Sequence, residues 1–231
     1  NQGSQGFTNI TYSAKIAQSS LPYVSWGTGF VDLDNDGLPD LVIASGHVYP
    51  DVDTVPKNVK YREPLLLYHN KGDRTFDQIA DSAGLNDGPM QSRRGIAFGD
   101  INNDGSIDMV VFNVGAPPSV FLNDTKNSNH RVLFKLIGTK SNRGAVGARI
   151  TLTSGSRSQI EEIKAGSSYL STNDPRLHFG LARDSVIDKV EVRWPNGSVE
   201  TIPNVPADFI YTIVEGQGIK SSIKLPEANP R

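Results

Sequence analysis

Cysteine is absent from the 231 residues, so no disulfide can form and cysteine usage does not indicate a redox compartment. The net charge of −2 gives no indication of a nucleic-acid partner. The sequence has no run of about 18 apolar residues, so it predicts no transmembrane segment. It also lacks long helical periodicity. Short β-branched runs separated by Gly, Pro, Asn and Asp predict an all-β protein.

One acidic stretch occurs twice. Residues 29–43 read GFVDLDNDGLPDLVI, and residues 97–111 read AFGDINNDGSIDMVV. The two copies are 68 residues apart. A second marker recurs at nearly the same distance, as FTNIT at residues 7–11 and FDQIA at residues 76–80. Each marker precedes its acidic stretch by about 20 residues, which indicates an internal repeat.

A repeat of about 70 residues built from short strands predicts propeller blades. We expect one four-stranded blade over about residues 24–80 and three further strands over residues 94–123. The segment 7–11 would be the last strand of an earlier blade, so we expect upstream blades of a longer parent protein to be missing. Two blades cannot close a ring. The sequence therefore predicts an open, partial β-propeller with exposed strand edges.

Each acidic loop places oxygen-bearing side chains at positions 1, 3, 5 and 9 and glycine at position 6. We call residues 32–40 loop one and residues 100–108 loop two. Gly37 and Gly105 allow the positive φ that closes such a loop, and position 7 would contribute its backbone carbonyl. The predicted ligands are Asp32, Asp34, Asp36, Leu38 and Asp40 in loop one, and Asp100, Asn102, Asp104, Ser106 and Asp108 in loop two.

Oxygen ligands in this number suit Ca²⁺, and neither set contains a His or Cys that would favour zinc. Seven of the 25 acidic residues fall in these two loops. We therefore predict two calcium sites whose ions are structural. The loops differ from an EF-hand, because position 12 is Ile43 or Val111 instead of Glu and a strand follows instead of a helix. The alternative is a pair of Asp- and Gly-rich turns without an ion.

The second half of the chain reads as a small β-sandwich over residues 130–217. Predicted strands cover 131–138, 147–154, 159–165, 186–194, 198–202 and 209–215. In one of them, Val190, Val192 and Trp194 alternate with polar residues and should face the core. We expect the partial propeller to occupy residues 1–125 and residues 218–231 to form a tail or linker.

Two segments resemble known families. Residues 27–125 are similar to the FG-GAP/VCBS repeats of integrin-like propellers. Residues 130–216 resemble an ASPIC/UnbV domain, in the stretches GTKSNRGAVGAR at 138–149, SYLS at 168–171, RLHFGL at 176–181 and RWPNG at 193–197. The combination resembles the C-terminal part of cartilage acidic protein-like proteins, which are mostly bacterial and secreted.

This resemblance implies an extracellular or periplasmic calcium-binding protein with no agreed enzymatic activity. We expect a binding or adhesion module whose partner is an unknown protein or glycan. Arg93, Arg94, Arg143, Arg149 and Arg176 could form a basic surface for acidic glycans, or could be scattered, solvated charges. The loop 138–147 should be a structural or recognition loop, and His178 a packed or capping residue.

A polysaccharide-acting enzyme is the alternative function. HExxH, GxSxG and Walker-type phosphate-loop motifs are all missing, so we assign no catalytic residue. An Asp dyad from the acidic loops could act as acid and base in a glycosidase or lyase, but chelating positions suit that role poorly. Carboxylates outside the loops would favour an enzyme, and those nearby form no motif. The candidates are Asp51, Asp53, Glu63, Glu161 and Glu162.

Overall fold

The computed structural model describes residue 4 and residues 6–55 and 59–227, and this part of the chain is all-β, as predicted. Its helices are short: α1 (Ala17–Ser20) and one 3₁₀ helix (Pro50–Thr54). The strands are β1 (Ser25–Val31), β2 (Asp40–Ser45), β3 (Leu65–Asn70), β4 (Phe76–Gln78), β5 (Arg93–Gly99), β6 (Asp108–Asn113), β7 (Ser119–Phe121), β8 (His130–Ile137), β9 (Arg149–Ser154), β10 (Arg157–Glu162), β11 (Leu177–Ala182), β12 (Val186–Arg193), β13 (Val199–Pro206), β14 (Phe209–Val214) and β15 (Gly218–Lys224).

These elements form two compact units. The first comprises the residues up to Phe30, Pro39–Ile96 and Val111–Ser119. The second comprises Val31–Leu38, Ala97–Val110 and the residues from Val120 onward. Most of loop one and all of loop two therefore belong to the second unit. The domain boundaries drawn from the sequence, at 1–125 and 130–217, stay a prediction.

The first unit contains a four-stranded sheet in the order β1-β2-β3-β4, over the range predicted for one blade. β2 pairs antiparallel with β3, with Leu41 opposite Tyr68, and β3 pairs antiparallel with β4. Every residue of β2 is buried, because its run Leu41–Ala44 is apolar on both faces. Leu41, Ile43, Leu66 and Tyr68 form one hydrophobic cluster.

A three-stranded sheet, β5-β6-β7, provides the three further strands that the second acidic stretch predicted. Its strand order is linear, like that of β1-β2-β3-β4, and no sheet among the described residues closes into a barrel. After β7 the chain continues to β8, which belongs to a different sheet. The propeller arrangement itself stays a prediction.

The second unit contains two four-stranded sheets, β10-β9-β12-β13 and β11-β8-β14-β15. Their inner faces share one hydrophobic core, as expected for a β-sandwich. Val190, Val192 and Trp194 are buried in this core, as their alternation predicted. The pairing of β14 with β8 is parallel, so this sheet is mixed.

The prediction of a tail or linker at residues 218–231 is wrong for the first half of this segment. Gly218–Lys224 forms β15, which pairs antiparallel with β14, with Ile210 opposite Ile223. No residue of β15 is fully buried, so the strand depends on backbone pairing and shows no hydrophobic alternation that would have predicted it. Residues 228–231 lie outside the described part of the chain.

Candidate metal centres

Loop one connects β1 to β2 and turns its side-chain oxygens onto its own backbone amides. The N–H of Asp36 donates to Oδ1 of Asp32 (3.2 Å) and to Oδ1 of Asp34 (3.3 Å). The N–H of Gly37 donates to Oδ2 of Asp32 (2.8 Å), and that of Leu38 donates to Oδ1 of Asp36 (2.7 Å). Because one N–H contacts both Asp32 and Asp34, oxygens of these two predicted ligands converge.

Loop two repeats these four hydrogen bonds. The N–H of Asp104 donates to Oδ1 of Asp100 (3.1 Å) and to Oδ1 of Asn102 (3.0 Å). The N–H of Gly105 donates to Oδ2 of Asp100 (2.9 Å), and that of Ser106 donates to Oδ1 of Asp104 (2.7 Å). The two copies therefore share one conformation and not only one sequence pattern.

Backbone angles explain why the loops need these residue types. Gly37 and Gly105 have φ values of 83° and 87°, as position 6 was expected to have. The sequence analysis did not single out position 4, where Asn35 and Asn103 have φ values of 61° and 60°. Asparagine enters this left-handed region more readily than most residues. The repeated Asn-Asp-Gly triplet was the signal that could have shown it.

The position-9 carboxylates are buried, and each accepts a backbone hydrogen bond from an asparagine further along the chain. The N–H of Asn70 donates to Oδ1 of Asp40 (2.9 Å), and the N–H of Asn123 donates to Oδ1 of Asp108 (2.8 Å). Oδ2 of Asp108 also accepts from the N–H of Ile101 (2.9 Å). In addition to any role as ligands, Asp40 and Asp108 thus have a structural one.

The asparagines that donate to position 9 were missed by the sequence analysis. Each follows an aromatic residue by two positions, in Tyr68-His69-Asn70 and Phe121-Leu122-Asn123. This shared spacing extends the internal repeat to a third strand. In the first copy the middle residue adds a contact, because Nδ1 of His69 lies 3.2 Å from Oδ1 of Asp40.

The electrostatics of loop two suit a cation. Burial raises the pKa of Asp100, and the nearby charge of Asp104 adds to this effect. The Gly105 amide and the Arg176 guanidinium oppose it. A cation among these oxygens would favour their ionised forms. The donor set consists of carboxylate, amide and carbonyl oxygens and fits Ca²⁺ chemically; the identity and presence of the ion stay a prediction.

Arg93 and Arg94 form neither a basic surface nor a pair of solvated charges. Arg93 is buried, donates to the backbone carbonyl of Glu63 (2.5 Å), and has its pKa lowered to about 10 by burial. The guanidinium of Arg94 lies 4.4 Å from the ring centre of Trp26 and donates to the carbonyl of Gly46 (3.2 Å). Both arginines hold the backbone of the first unit.

Two carboxylates proposed for an enzymatic site take part in local structure. Glu63 is buried, its pKa is raised by that burial, and its Oε2 accepts from the N–H of Val24 (2.9 Å). Asp53 accepts from the N–H of Tyr61 (2.8 Å). Both carboxylates thus contribute to the local backbone structure.

The loop 138–147 is folded around one carboxylate. Oε2 of Glu215 accepts from the backbone N–H groups of Thr139, Lys140 and Ser141, each at 2.8 Å. Its Oε1 accepts from Nδ2 of Asn196 (2.6 Å). Burial acts to raise the pKa of Glu215, but the hydrogen bonds outweigh it and lower this pKa to about 2. The contacts support a structural role, which is one of the two roles expected of this loop.

Comparison with known proteins supports both resemblances. Residues 32–111 match the FG-GAP-like repeat family, and residues 138–220 match the ASPIC and UnbV family. The chain is 31% identical to human cartilage acidic protein 1 over 139 residues, which are 59% of this chain and 21% of that protein. Its identity to the mouse protein is 30% over the same length. Identity to the Xenopus tropicalis protein is 43% over 77 residues, which are 33% of this chain and 11% of that protein.

The chain therefore combines an FG-GAP-like repeat with an ASPIC and UnbV segment, and the recognition made from its motifs is confirmed. It spans only about a fifth of the length of the human and mouse relatives. The matches indicate an extracellular repeat protein. Among the described residues, no helix has the length and apolar character needed to cross a membrane.

Proposed function

We propose that this chain, which joins an FG-GAP-like repeat to an ASPIC and UnbV segment, is a calcium-binding module of an extracellular protein and serves in binding or adhesion. Each acidic loop holds one ion, and the ions are structural. The observation that carries the proposal is the hydrogen-bond pattern shared by the two loops, which brings oxygens from positions 1 and 3 together on the N–H of position 5 in both.

An ion accounts for this arrangement better than an ordinary turn does. A turn needs one Asp or Asn to accept from the backbone two residues later. Loop one instead gathers Asp32, Asp34 and Asp36 within a few residues, and two carboxylates held close together repel each other. A divalent cation relieves that repulsion. Its binding would stabilise the native state by RT ln(1 + [L]/Kd), about 2.7 kcal/mol at a hundredfold excess over Kd.

Structural ions also suit the place of the loops in the fold. Each loop connects two neighbouring strands, and its position-9 carboxylate is buried and accepts the backbone N–H of an asparagine, Asn70 or Asn123. Few coordination positions would then stay open for a substrate. We therefore propose no catalytic role, and we assign to the ions the task of holding the strand connections in shape for a protein or glycan partner.

The direct test is thermal melting of the chain in chelator, in Ca²⁺ and in Mg²⁺. We expect the melting temperature to fall in chelator and to recover more with Ca²⁺ than with Mg²⁺. Asp104→Asn should reduce the calcium-dependent increase. The matched control is Asp73→Asn, because Asp73 accepts from Thr75 in an exposed hairpin turn outside both loops. A melting curve that does not respond to chelator would refute the ion assignment.

The binding role needs a separate test. We would screen the chain against immobilised glycans and extracellular matrix proteins, in calcium and in chelator. Binding that requires calcium and is weakened in Asp104→Asn supports the module proposed here. Calcium would be required because the ions hold the strand connections in shape. Equal binding in calcium and in chelator would show that the partner-binding surface does not depend on the loops.

A further inference from the structure

We infer that one edge of the ASPIC and UnbV sandwich holds both acidic loops from outside, so that Arg176, Arg157 and their neighbours are positioning residues for the ions. The inference rests on the proposed calcium binding and names the residues that prepare the sites. All contacts used below lie within the second compact unit.

The side chains of strand β11 and of the arginine before it alternate between the sandwich core and the acidic loops. Leu177, Phe179 and Leu181 point into the sandwich core. The alternate positions Arg176 and His178 contact the acidic loops instead. This alternation explains the RLHFGL stretch of the ASPIC/UnbV resemblance: every second residue packs the core, and the residues between them face the loops.

Loop two is held by two arginines. Arg176 donates to the carbonyl of Asp100 (2.5 Å) and to Oδ1 of Asn103 (2.6 Å). Arg131 donates to the carbonyl of Asp104 (2.5 Å). The carbonyls of two predicted ligand residues are therefore fixed from outside the loop. The contact at Asn103 holds the residue whose positive φ starts the turn.

Loop one is held in the same manner by other residues. Nε2 of His178 lies 2.8 Å from Oδ1 of Asn35, and the N–H of Ala182 donates to the carbonyl of Asn35 (2.9 Å). Arg157 donates to the carbonyl of Asp36 (2.5 Å). A Cβ at Gly180 would overlap Oδ2 of Asp32, so glycine is needed for the close approach of the strand.

The connection between β7 and β8 completes this support. Nδ2 of Asn127 and Nδ2 of Asn129 donate to the carbonyl of Asp34, at 2.7 and 2.9 Å, and Nδ2 of Asn123 donates to the carbonyl of Leu33 (2.7 Å). Backbone carbonyls of loop one are thus satisfied from outside. Side-chain oxygens of Asp32 and Asp34 accept instead from the loop's own backbone.

The physical consequence is a prepared site. A free loop samples many conformations, and its apparent affinity is reduced by the fraction of time it spends in the binding one. Donors that hold both the left-handed asparagine and the ligand backbone raise that fraction. Groups that support metal ligands from outside commonly change metal affinity by 10–100-fold when they are mutated. Ion affinity should therefore depend on sandwich residues that are not ligands.

We would test this by calorimetric calcium titration of Arg176→Gln and Arg157→Gln. We expect Arg176→Gln to weaken the loop-two site about tenfold. Because Arg157 is exposed and contacts the loop through the carbonyl of Asp36, Arg157→Gln should weaken the loop-one site by a smaller factor. Repeating each titration in the Asp36→Ala and Asp104→Ala variants, which each lack one ligand of one loop, shows which loop's affinity has changed. Arg193→Gln, an exposed arginine on β12, is the matched control.

Melting in calcium and in chelator separates positioning from simple support. Substitution of a positioning residue should lower the melting temperature more in calcium than in chelator. Arg176→Lys should bind calcium more tightly than Arg176→Gln but less tightly than wild type, because lysine cannot make the forked contact of arginine. An equal loss in both conditions, with an unchanged Kd, would overturn the inference. If the wild-type chain takes up no calcium, the proposed function itself fails, and the wild-type titration alone shows this. Arg157→Gln decides the question if Arg176→Gln does not fold.

Discussion

The imidazole Nε2 of His178 lies 2.8 Å from the side-chain oxygen of Asn35, the left-handed residue of loop one. Burial lowers the pKa of His178 to about 4, the charge of Arg131 acts in the same direction, and the backbone of Gly105 opposes them. The packed role expected for His178 is thereby supported. This one side chain connects β11 to residues of both acidic loops.

The lowered pKa predicts a loss of stability in mild acid. An unfolded histidine titrates near 6.5, so between pH 4 and pH 6.5 the unfolded chain binds more protons than the folded one. The contribution of neutral His178 is complete above pH 6.5 and decreases as the pH falls. We expect a loss of about 2 kcal/mol in the free energy of unfolding at pH 5. Urea titrations in chelator at pH 7.5 and pH 5 measure it, and in His178→Gln the difference should be smaller by that amount. If the free energy of unfolding fell by the same amount between pH 7.5 and pH 5 in both proteins, the prediction would be wrong.

Gly180→Ala should strain the contact between β11 and loop one. The added methyl group would overlap Oδ2 of Asp32 and the backbone of Asn35, and overpacking of this kind costs about 1–3 kcal/mol. We expect a lower free energy of unfolding in urea and weaker calcium binding in loop one. Gly144→Ala is the control, because a Cβ there would lie 3.9 Å from its nearest neighbour, Oδ1 of Asn142. Equal stability of the two variants would show that the strand can move away.

Glu215→Gln should loosen the loop 138–147 and lower the melting temperature at neutral pH. The amide offers one acceptor oxygen where the carboxylate offers two, so either the three backbone N–H groups or Asn196 lose their acceptor. Because the pKa of Glu215 is lowered, its contribution is complete above the unfolded value and is lost as the pH falls towards 2. The difference between variant and wild type should therefore shrink below pH 4. Glu191→Gln, which breaks a surface ion pair with Lys189, should change little at any pH.

Local patterns predicted much of this fold, and tertiary contacts explain what they missed. The repeat of acidic loops, the buried run of β2 and the alternation that ends at Trp194 are all visible within a few residues. Strand β15 has no such pattern, because its side chains are not fully buried and only its backbone is paired. The strand character of β11 was missed too, since Arg176, His178 and Gly180 serve the loops and interrupt its apolar sequence.

The roles of the arginines could not be predicted for a related reason. Arg176 is 76 residues from Asp100, and Arg157 is 121 residues from Asp36, so no local spacing connects them. An arginine that donates to a backbone carbonyl also leaves no charge pattern in the sequence, because its acceptor is common to every residue. Arg93 shows the same limit: it reads as a surface charge and is buried.

The two loops should differ in calcium affinity, with loop one the tighter. Loop one offers four carboxylates, whereas Asn102 leaves loop two with three, and ligand charge is one determinant of calcium affinity. Nδ2 of Asn102 also donates to Oδ2 of Asp104 (2.8 Å), so an ion in loop two must compete with this contact for that oxygen. In loop one, Pro39 restricts Leu38 to extended conformations and should fix the position-7 carbonyl, while Ser106 has no proline after it.

These effects act in the same direction, and we expect both Kd values within about 10⁻⁵–10⁻³ M. Calorimetric titration of Asp36→Ala and Asp104→Ala, made separately, measures the ranking. Asp36→Ala should remove the tighter phase and leave the weaker one, because each substitution removes a carboxylate from one loop only. The opposite result, in which Asp104→Ala removes the tighter phase, would show that the contact between Asn102 and Asp104 prepares loop two for the ion instead of competing with it.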